Sequence, residues 1–444
     1  MGRSISKDFF RYVSTNVLGM IGLSCYIFAD TLFVARGLGT NGLAALNLSI
    51  SMYGLIYAGG LMIGIGGATR FAILKARGQI GQARTVFTHA MVAGIVLGLV
   101  FLSVGLLFSE QLSVFLGADA VIFEMTNTYL RTILLFGPAF VVNSVLLAFV
   151  RNDGNPNLAM AGMLTSSFGN ILLDYILIFP LQMGMFGAAL ATGIASVIGI
   201  FLLLLHFRGP CTLRLQGCRF QFRYLRDMAA LGLSTFITEI SGGLVLVVFN
   251  LTILGIAGNV GVAAYGVVAN LAFIAMSIFT GIGQGLQPLA SYSHGRGEPT
   301  VLRRILFYGL ITVMVTAGAI YLLVLGFSDE IVAAFNRENN VELARYAKEG
   351  LLIYFTGFIF AGANVVGAGY CAATERTALS FVISITRGAV AIIPLVLILA
   401  RCFGMVGVWL SFPGAEMVTF MVGVALASRN RWTQKTTADG RLRA

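Results

Sequence analysis

The sequence has few charged residues. Asp, Glu, Lys and Arg make up 11% of the chain, whereas an ordinary soluble domain carries about a quarter. Hydrophobic residues make up 58%, and the mean hydropathy is +0.90. This composition excludes a soluble domain of useful size and is typical of a chain that folds inside a membrane.

Residues that catalytic sites use are also scarce. The three histidines stand apart near the ends of apolar segments, and no His-Glu-x-x-His, Gly-x-Ser-x-Gly or Gly-x-x-x-x-Gly-Lys motif occurs. Each of these motifs has a mechanism that needs those residues at that spacing. The sequence therefore gives little support for an enzyme or an ATP-driven pump, and we expect no cofactor apart from a transported ion.

Cysteines are few and show no paired spacing. There are five, an odd number, which gives no complete disulfide framework. Cys211 and Cys218 share one basic segment, but neither has a histidine beside it. A zinc site usually combines four such ligands. We interpret the cysteines as small packing residues and expect no metal site.

Long apolar segments dominate what is present. Twelve of them can each cross about 30 Å of hydrocarbon. They predict an all-α membrane protein with twelve transmembrane helices. The first segment is too long for a signal peptide and lacks a small-residue cleavage site, so we expect it to be retained. The segments are 12–35, 43–69, 86–108, 129–150, 157–179, 184–206, 227–254, 261–290, 303–326, 350–373, 378–400 and 405–427.

Basic residues concentrate in alternate loops. They cluster in 70–84, 208–226, 296–304 and the tail from Arg429. The positive-inside rule places these loops and both termini in the cytoplasm, which predicts a multi-pass protein of the cytoplasmic membrane. Basic loops that meet an anionic leaflet explain the net charge of +11 without a nucleic-acid partner. Within 207–226, apolar residues alternate with arginine, which predicts an interfacial segment.

The two halves of the chain repeat each other. Gly39–Leu46 aligns with Gly258–Tyr265, and Met183–Leu190 aligns with Phe403–Leu410. The repeat covers six helices, so both copies keep one orientation, as in parallel repeats. It predicts two six-helix lobes around a central cavity. The predicted domains are an N-lobe at 1–206, a basic linker at 207–226, a C-lobe at 227–428 and a basic tail at 429–444.

One group of polar residues lies inside the apolar segments of the first half. A carboxylate at mid-membrane costs roughly 2.5 to 3.5 kcal/mol, so Asp30 and Asp174 need partners. Asn170 lies one helical turn from Asp174, and Thr192 lies on the next helix. If the two carboxyl groups converge, they cannot both ionise easily and should titrate as a unit. The alternative is that they only hydrogen-bond for packing.

A second group of candidates would line the cavity and contact the substrate. Glu239 and Glu416 could form an acidic face in the second half, or could serve packing alone. Other polar groups surround Pro288, which interrupts regular helix hydrogen bonding. Methionine supplies the adaptable surface that a polyspecific cavity needs. The candidates are Glu239, Gln284, Gln287, Tyr292, Met163 and Glu416.

Several motifs resemble those of the multidrug and toxic compound extrusion (MATE) family, in its DinF-like branch. The resemblance covers residues 8–428. It implies cation-coupled drug export by alternating access between two lobes arranged in a V. It also implies an ion site formed by Asp30, Asn170, Asp174 and Thr192. The motifs are Asp30-Thr-Leu-Phe-Val-Ala-Arg-Gly-Leu-Gly39, Asn170-Ile-Leu-Leu-Asp174, Gly184-Met-Phe-Gly-Ala-Ala-Leu-Ala-Thr192 and Gly285-Leu-Gln-Pro-Leu-Ala-Ser-Tyr-Ser-His-Gly295.

The sequence departs from the family pattern at three places. Asn16 and Ser234 stand where members commonly have proline, so a proline-hinged bend of helix one is not expected. Leu351–Ala373 contains no acidic residue, which disfavours the helix-ten sodium site of other branches. Sodium could still bind at Asp30 and Asp174.

We therefore predict a secondary antiporter that exports organic cations or amphiphilic drugs in exchange for H⁺, with Na⁺ as the alternative coupling ion. The chain is expected to act as a monomer in membrane lipid. A flippase for a lipid-linked saccharide is a rival, but its cavity should be basic, and only Arg131 and Arg387 lie in or near the apolar segments. A second rival is a membrane scaffold that transports nothing and shows no ion dependence.

Overall fold

The computed structural model describes residues 5–217, 219–336 and 340–441. Within these ranges the chain is helical and has no strand, so the predicted all-α fold is confirmed. Short 3₁₀ turns follow α6 and α9, and a π-helical turn at Thr386–Val390 follows α11. The helices are α1 Ile5–Ala76, α2 Ile80–Phe115, α3 Phe123–Leu135, α4 Gly137–Asn152, α5 Pro156–Ile178, α6 Gly184–Leu204, α7 Phe222–Gly295, α8 Pro299–Phe335, α9 Val341–Tyr354, α10 Phe358–Ala373, α11 Thr377–Ile385 and α12 Ile392–Arg441.

The described helices account for the predicted number of membrane segments. Eight stretches are long and apolar enough to span a membrane, and α3 and α4 together make a ninth, bent by 49°. This bend lies where Pro138 occupies the first turn of α4 and cannot continue the preceding helix. Three of the nine stretches are divided at a non-helical glycine: Gly39, Gly258 or Gly404. Counting both parts of each divided stretch gives the twelve predicted segments.

The backbone carries the predicted repeat. Gly39 has φ 70° and its counterpart Gly258 has φ 58°, while Gly184 and its counterpart Gly404 have φ 59° and 57°. Positive φ values of this size are easily adopted only by glycine. Matched glycines therefore make matched breaks, which supports the internal duplication.

The chain forms two compact units. The first contains Met1–Ile240 and Gln284–Leu302, and the second contains Ser241–Gly283 and the chain from Arg303 onward. This division differs from the predicted lobe boundaries because both ends of α7 belong to the first unit. There is almost no space between Gly232 near the start of α7 and Met62 in α1, so a side chain at Gly232 would collide with the Met62 carbonyl group.

Each unit has its own aromatic core. In the first unit, Phe149 contacts Phe71 and Phe87, with ring centroids 5.5 and 5.1 Å apart. In the second unit, Tyr354 stacks on Phe412 at 4.1 Å. Such ring contacts stabilise a fold beyond the area that they bury. In the first unit they join α1, α2 and α4.

Candidate functional site

Two carboxyl groups meet inside the first unit. Asp30 on α1 is 7% exposed and Asp174 on α5 is fully buried, and their side chains lie within hydrogen-bond reach of each other. The two helices approach closely because Gly19 on α1 leaves room for Met163 on α5. Oδ1 of each aspartate has no protein hydrogen-bond donor. The pair thus presents two buried, unpartnered acceptor atoms, which is the arrangement that a bound proton or cation would satisfy.

Asn170 and Thr192 join this carboxyl pair, as the sequence predicts. The Asn170 amide lies 2.9 Å from Asp174 Oδ2 and 3.2 Å from Thr192 Oγ1, so its nitrogen donates to the carboxyl group and its oxygen faces the hydroxyl group. The Ala188 carbonyl oxygen, 3.2 Å from Thr192 Oγ1, is a second acceptor for the single hydroxyl proton. The four predicted ion-site residues are therefore neighbours. Their role in ion binding stays a prediction.

Tyrosines complete the surroundings of the carboxyl pair, and the sequence did not predict Tyr129 among them. Tyr129 on α3 is 3% exposed. Its hydroxyl group contacts Thr192, and it lies within electrostatic range of Asp30 and Asp174. Tyr26, one turn before Asp30, shares a hydrogen bond with Tyr53 at 3.0 Å. One tyrosine among many apolar residues gives no sequence signal, although the four-residue spacing of Tyr26 and Asp30 places them on one helix face.

A cavity opens beside this group within the first unit. Its wall combines aromatic rings with small hydroxyl and amide side chains, a mixture that suits amphiphilic ligands. The predicted cavity residue Met163 is among its lining residues, as are Asn170 and Thr192. The lining residues are Leu23, Tyr26, Tyr53, Tyr57, Leu61, Phe140, Asn143, Ser144, Leu147, Met163, Ser166, Ser167, Asn170, Thr192, Ala195 and Ser196.

Glu239 lies near one wall of this cavity. Its carboxyl group is within electrostatic range of Tyr53 and Tyr57, both of which line the cavity. The residue is half-buried on α7. Glu239 is therefore a predicted substrate-contacting acid that lies near this cavity.

The predicted cavity residues Gln284 and Gln287 instead belong to a buried polar network. Arg151 is 2% exposed, and its Nη1 donates to Asn16 Oδ1 at 2.5 Å and to Gln284 Oε1 at 2.8 Å. Gln287 Nε2 donates to Thr69 Oγ1 at 2.6 Å, and Gln287 Oε1 accepts from Asn152 at 3.2 Å. We call these six residues the amide cluster. The cluster joins α1, α4 and the end of α7, and Tyr292 is half-buried one turn farther along α7.

Arg151 has no carboxylate partner in the part of the chain that the structure describes. Its guanidinium group is instead held by neutral amide oxygens, and its Nε has no acceptor. Asn16 Nδ2 also donates to the Tyr12 carbonyl oxygen at 2.8 Å, and the backbone of α1 is helical at Asn16, the position where the family pattern has proline. Asn16, which stands in place of the family's proline, thus provides no helix hinge and instead supplies a hydrogen-bond acceptor for the buried guanidinium group of Arg151.

The predicted cavity acid Glu416 is neutralised within the second unit. Glu416 is 2% exposed. Its Oε1 accepts from Arg387 Nε at 2.6 Å, and its Oε2 accepts from Asn364 Nδ2 at 2.7 Å. Arg387 lies in the π-helical turn, a feature that is frequent at functional sites. A cation could reach the Glu416 carboxylate only by displacing Arg387.

A third aspartate, Asp153, has a fully buried side chain and anchors the segment that follows α6. Asp153 Oδ1 accepts from Lys75 Nζ at 2.5 Å, and Oδ2 accepts from His206 Nε2 at 2.9 Å and from the Thr212 amide at 2.8 Å. Ligand atoms of Asp153, His206 and Cys211 lie within 4.8 Å of one another, a cluster that the sequence did not predict. However, both Asp153 oxygens already accept hydrogen bonds from the protein. The cluster is therefore interpreted as a structural hydrogen-bond network and not as a metal site.

Asp153→Asn should destabilise the protein by roughly 3 kcal/mol near neutral pH, as when one partner of a buried ion pair is removed. Burial raises the pKa of Asp153, but the hydrogen bonds from His206 and Lys75 outweigh burial and hold it at about 2. Because this pKa is below the ordinary value of 3.8, the stabilisation is complete above pH 4 and is lost toward pH 2. Thermal unfolding in detergent should therefore show a gap between variant and wild type that narrows at pH 3. A gap of equal size at pH 7 and pH 3 would contradict this assignment.

The MatE family profile matches residues 16–176 and 233–398. The multidrug export protein MepA of Staphylococcus saprophyticus is 24% identical over 426 residues, which cover 95% of this chain and 93% of that protein. MepA of a Staphylococcus aureus strain is 27% identical over 405 residues, with 89% and 88% covered.

Solved structures share the fold. An outward-facing multidrug resistance MATE family transporter superposes with a TM-score of 0.92 at 21% identity, covering 98% of this chain and 97% of that one. A Vibrio cholerae MATE transporter variant gives 0.90 at 19%, with 97% and 98% covered. The family match covers more than half of the chain and both sequence repeats. The chain therefore belongs to the MATE family and is a multi-pass membrane transporter rather than an enzyme.

Proposed function

We propose that this chain is a secondary antiporter that exports organic cations or amphiphilic drugs in exchange for inward H⁺. The observation that carries the proposal is the buried Asp30–Asp174 pair, which has one unpartnered oxygen on each carboxyl group and a cavity beside it. Relatives that match most of the chain are multidrug export proteins by name, which supports a drug as cargo. The assignment to the DinF-like branch stays a prediction.

The geometry of the pair favours H⁺ as the coupling ion. Two carboxyl groups within hydrogen-bond reach in a low-dielectric site are stabilised by one shared proton, because the doubly ionised pair repels itself. Asn170 donates to Asp174 Oδ2. The other oxygen of that carboxyl group, Oδ1, has no partner and can take the proton. Loss of the proton leaves a negative site next to the cavity, which attracts a cationic drug. Proton and drug thereby compete, as exchange requires. Sodium at the same oxygens is the alternative.

Cargo recognition is proposed to combine the cavity with Glu239. Tyr53 and Tyr57 present aromatic faces that attract cations, and Glu239 lies within electrostatic range of both. Met163 adds an adaptable apolar surface. Because Arg387 neutralises Glu416, Glu239 supplies the cargo-attracting charge outside the aspartate pair.

The amide cluster is proposed to act as the cytoplasmic gate. The positive-inside rule places these helix ends in the cytoplasm. Gly66 of α1 packs closely against Gly232 of α7. If Gly66 were replaced by a residue with a Cβ atom, that atom would lie only 2.9 Å from the Gly232 backbone nitrogen. Arg151 on α4 bonds to Gln284 near the other end of α7. A cation held by neutral amides is released at lower cost than one held by a carboxylate. The gate can therefore open repeatedly, and its opening must depend on ion binding, because an ion that binds both states equally shifts nothing.

Transport by the reconstituted wild-type protein tests this proposal. Proteoliposomes should move a lipophilic cationic dye against its gradient when an H⁺ gradient is imposed, and should release protons when dye is added. Dye movement that is driven only by a Na⁺ gradient would show that the coupling ion is Na⁺ and not H⁺. If neither gradient drives dye movement, the antiporter proposal fails. A fluorescent lipid translocation assay would then separate a flippase from a scaffold that transports nothing.

A further inference from the structure

The segment between α6 and α7 is fixed to the first unit through its backbone. Residues 205–217 and 219–221 are irregular apart from one 3₁₀ turn, yet Leu213 is completely buried. Amide and carbonyl groups of this linker bond to side chains of the α4–α5 loop and of the first turns of α2. The bonds are Thr212 N to Asp153 Oδ2 at 2.8 Å, Arg84 Nε to Thr212 O at 3.2 Å, Gln216 N to Thr88 Oγ1 at 3.0 Å and Gln221 N to His89 Nε2 at 3.0 Å.

Large apolar side chains of the fixed linker are exposed, although the Phe220 ring also stacks on His89 with centroids 5.6 Å apart. Leu215 is 68% exposed, Phe220 is 62% exposed and Phe222 at the start of α7 is 72% exposed. A water-facing surface rarely presents such a group of apolar side chains without a partner. Since the backbone hydrogen bonds hold the linker in place, it cannot fold these side chains inward. They need an apolar environment outside the protein.

Arginines lie between these apolar side chains. Arg208, Arg214, Arg219 and Arg223 are all exposed. None of the four forms a salt bridge among the described residues, although Arg226 lies 3.9 Å from Asp227. Exposed arginine next to exposed phenylalanine matches the boundary between lipid headgroups and acyl chains, where guanidinium groups bond to phosphate and rings enter the hydrocarbon.

We propose that the linker is a docking surface for anionic lipid of the cytoplasmic leaflet. Its phenylalanines enter the acyl region, and its arginines bind the phosphate groups. The proposal goes beyond the general attraction of basic loops to a membrane, because the backbone is fixed and so the lipid meets a preformed surface. It rests on the proposed orientation of the chain and not on the proposed coupling mechanism.

Lipid quenching of a tryptophan placed in the linker tests this proposal. Phe220→Trp is introduced in the full chain with Trp432→Phe, and the protein is placed in nanodiscs of mixed phosphatidylcholine and phosphatidylglycerol. Brominated acyl chains are carried by either lipid at the same total composition. The introduced tryptophan should be quenched, and more strongly when the anionic lipid carries bromine, because one arginine enriches anionic lipid about fivefold at the surface. Trp409 is fully buried and provides the constant background.

Matched variants separate the arginines from general basicity. Replacing Arg214, Arg219 and Arg223 by Gln should remove the preference for anionic lipid while leaving quenching in place. Replacing Arg303 and Arg304 by Gln, which removes exposed charge from the start of α8, should leave the preference unchanged. An unquenched linker tryptophan, equal quenching by the two lipids, or a preference that survives the triple replacement would each overturn the proposal. Drug transport need not change in any of these outcomes, so failure here is distinguishable from failure of the antiporter.

Discussion

Asp30→Asn is expected to lower drug-dependent proton release from proteoliposomes to less than about a tenth of the wild-type value. The amide cannot take up the shared proton, and Asp174 is left beside a neutral group that no longer repels its charge. Driving a gate between its two states takes a roughly 10⁴-fold difference in ion affinity. A carboxyl pair that cannot bind and release a proton no longer has different proton affinities in the two states of the gate. Proton release on dye addition, followed with a pH-sensitive dye in the lumen, measures the effect.

A matched set of variants makes this result specific. Asp174→Asn should behave like Asp30→Asn, since the two carboxyl groups act as one site. Glu110→Gln removes an exposed acid from α2 and should leave coupling intact. Dye binding to Asp30→Asn, measured by fluorescence polarisation, should persist and lose its pH dependence. Wild-type coupling in Asp30→Asn would remove Asp30 from the mechanism, whatever the fate of the other predictions.

Gln284→Glu should slow transport about tenfold or more by holding the proposed gate closed. Arg151 is already buried and desolvated, so a carboxylate in place of the Gln284 amide meets an unscreened positive charge. A gain of roughly 1.4 kcal/mol for the closed gate corresponds to a factor of ten in opening. Transport rate at saturating dye measures the loss, and binding of dye to the closed state should not weaken.

Gln284→Leu provides the control with the opposite expected sign. It removes one of the two amide oxygens bonded to Arg151 and should favour opening. Ser166→Cys on the cavity wall, in a protein without its five native cysteines, reports opening through its reaction with a charged maleimide added from the cytoplasmic side. Labelling should be slower with Gln284→Glu and faster with Gln284→Leu. Equal labelling rates in both variants would rule out a gating role for the amide cluster.

Sequence patterns predicted the fold and the centre of the site because both have local signatures. Apolar length counts the membrane segments, and glycines at equal spacing mark the repeat. Asp30 and Asp174 are conspicuous because a carboxylate in an apolar segment has few stable environments. Helical spacing then placed Asn170 on the same face as Asp174. The structure confirms these placements, while the function of the group still awaits measurement.

The remaining features depend on contacts between distant parts of the chain. Arg151 directly follows the apolar segment predicted at 129–150, and it is buried because Gln284, more than one hundred residues later, supplies an acceptor. Likewise, the pairing of Arg387 with Glu416 cannot be read from either apolar segment alone. The number of acidic and basic residues in the apolar segments therefore overestimates the unpaired charge, because residues such as Arg387 and Glu416 neutralise each other. Three consecutive polar residues, Arg151–Asp153, at the end of an apolar segment are the signal that could have pointed to a buried network.

The first unit is built from two separate stretches of the chain, and this sets the order in which the two units can fold during synthesis. Its early part ends at Ile240, but Gln284–Leu302 belongs to it as well. A ribosome adds about 5 to 20 residues per second, so Arg151 waits several seconds in the nascent chain before its partner on α7 exists. The intervening residues must enter the membrane first and leave the end of α7 free to return to α1. Assembly of this unit is therefore finished only after synthesis of the second unit has begun.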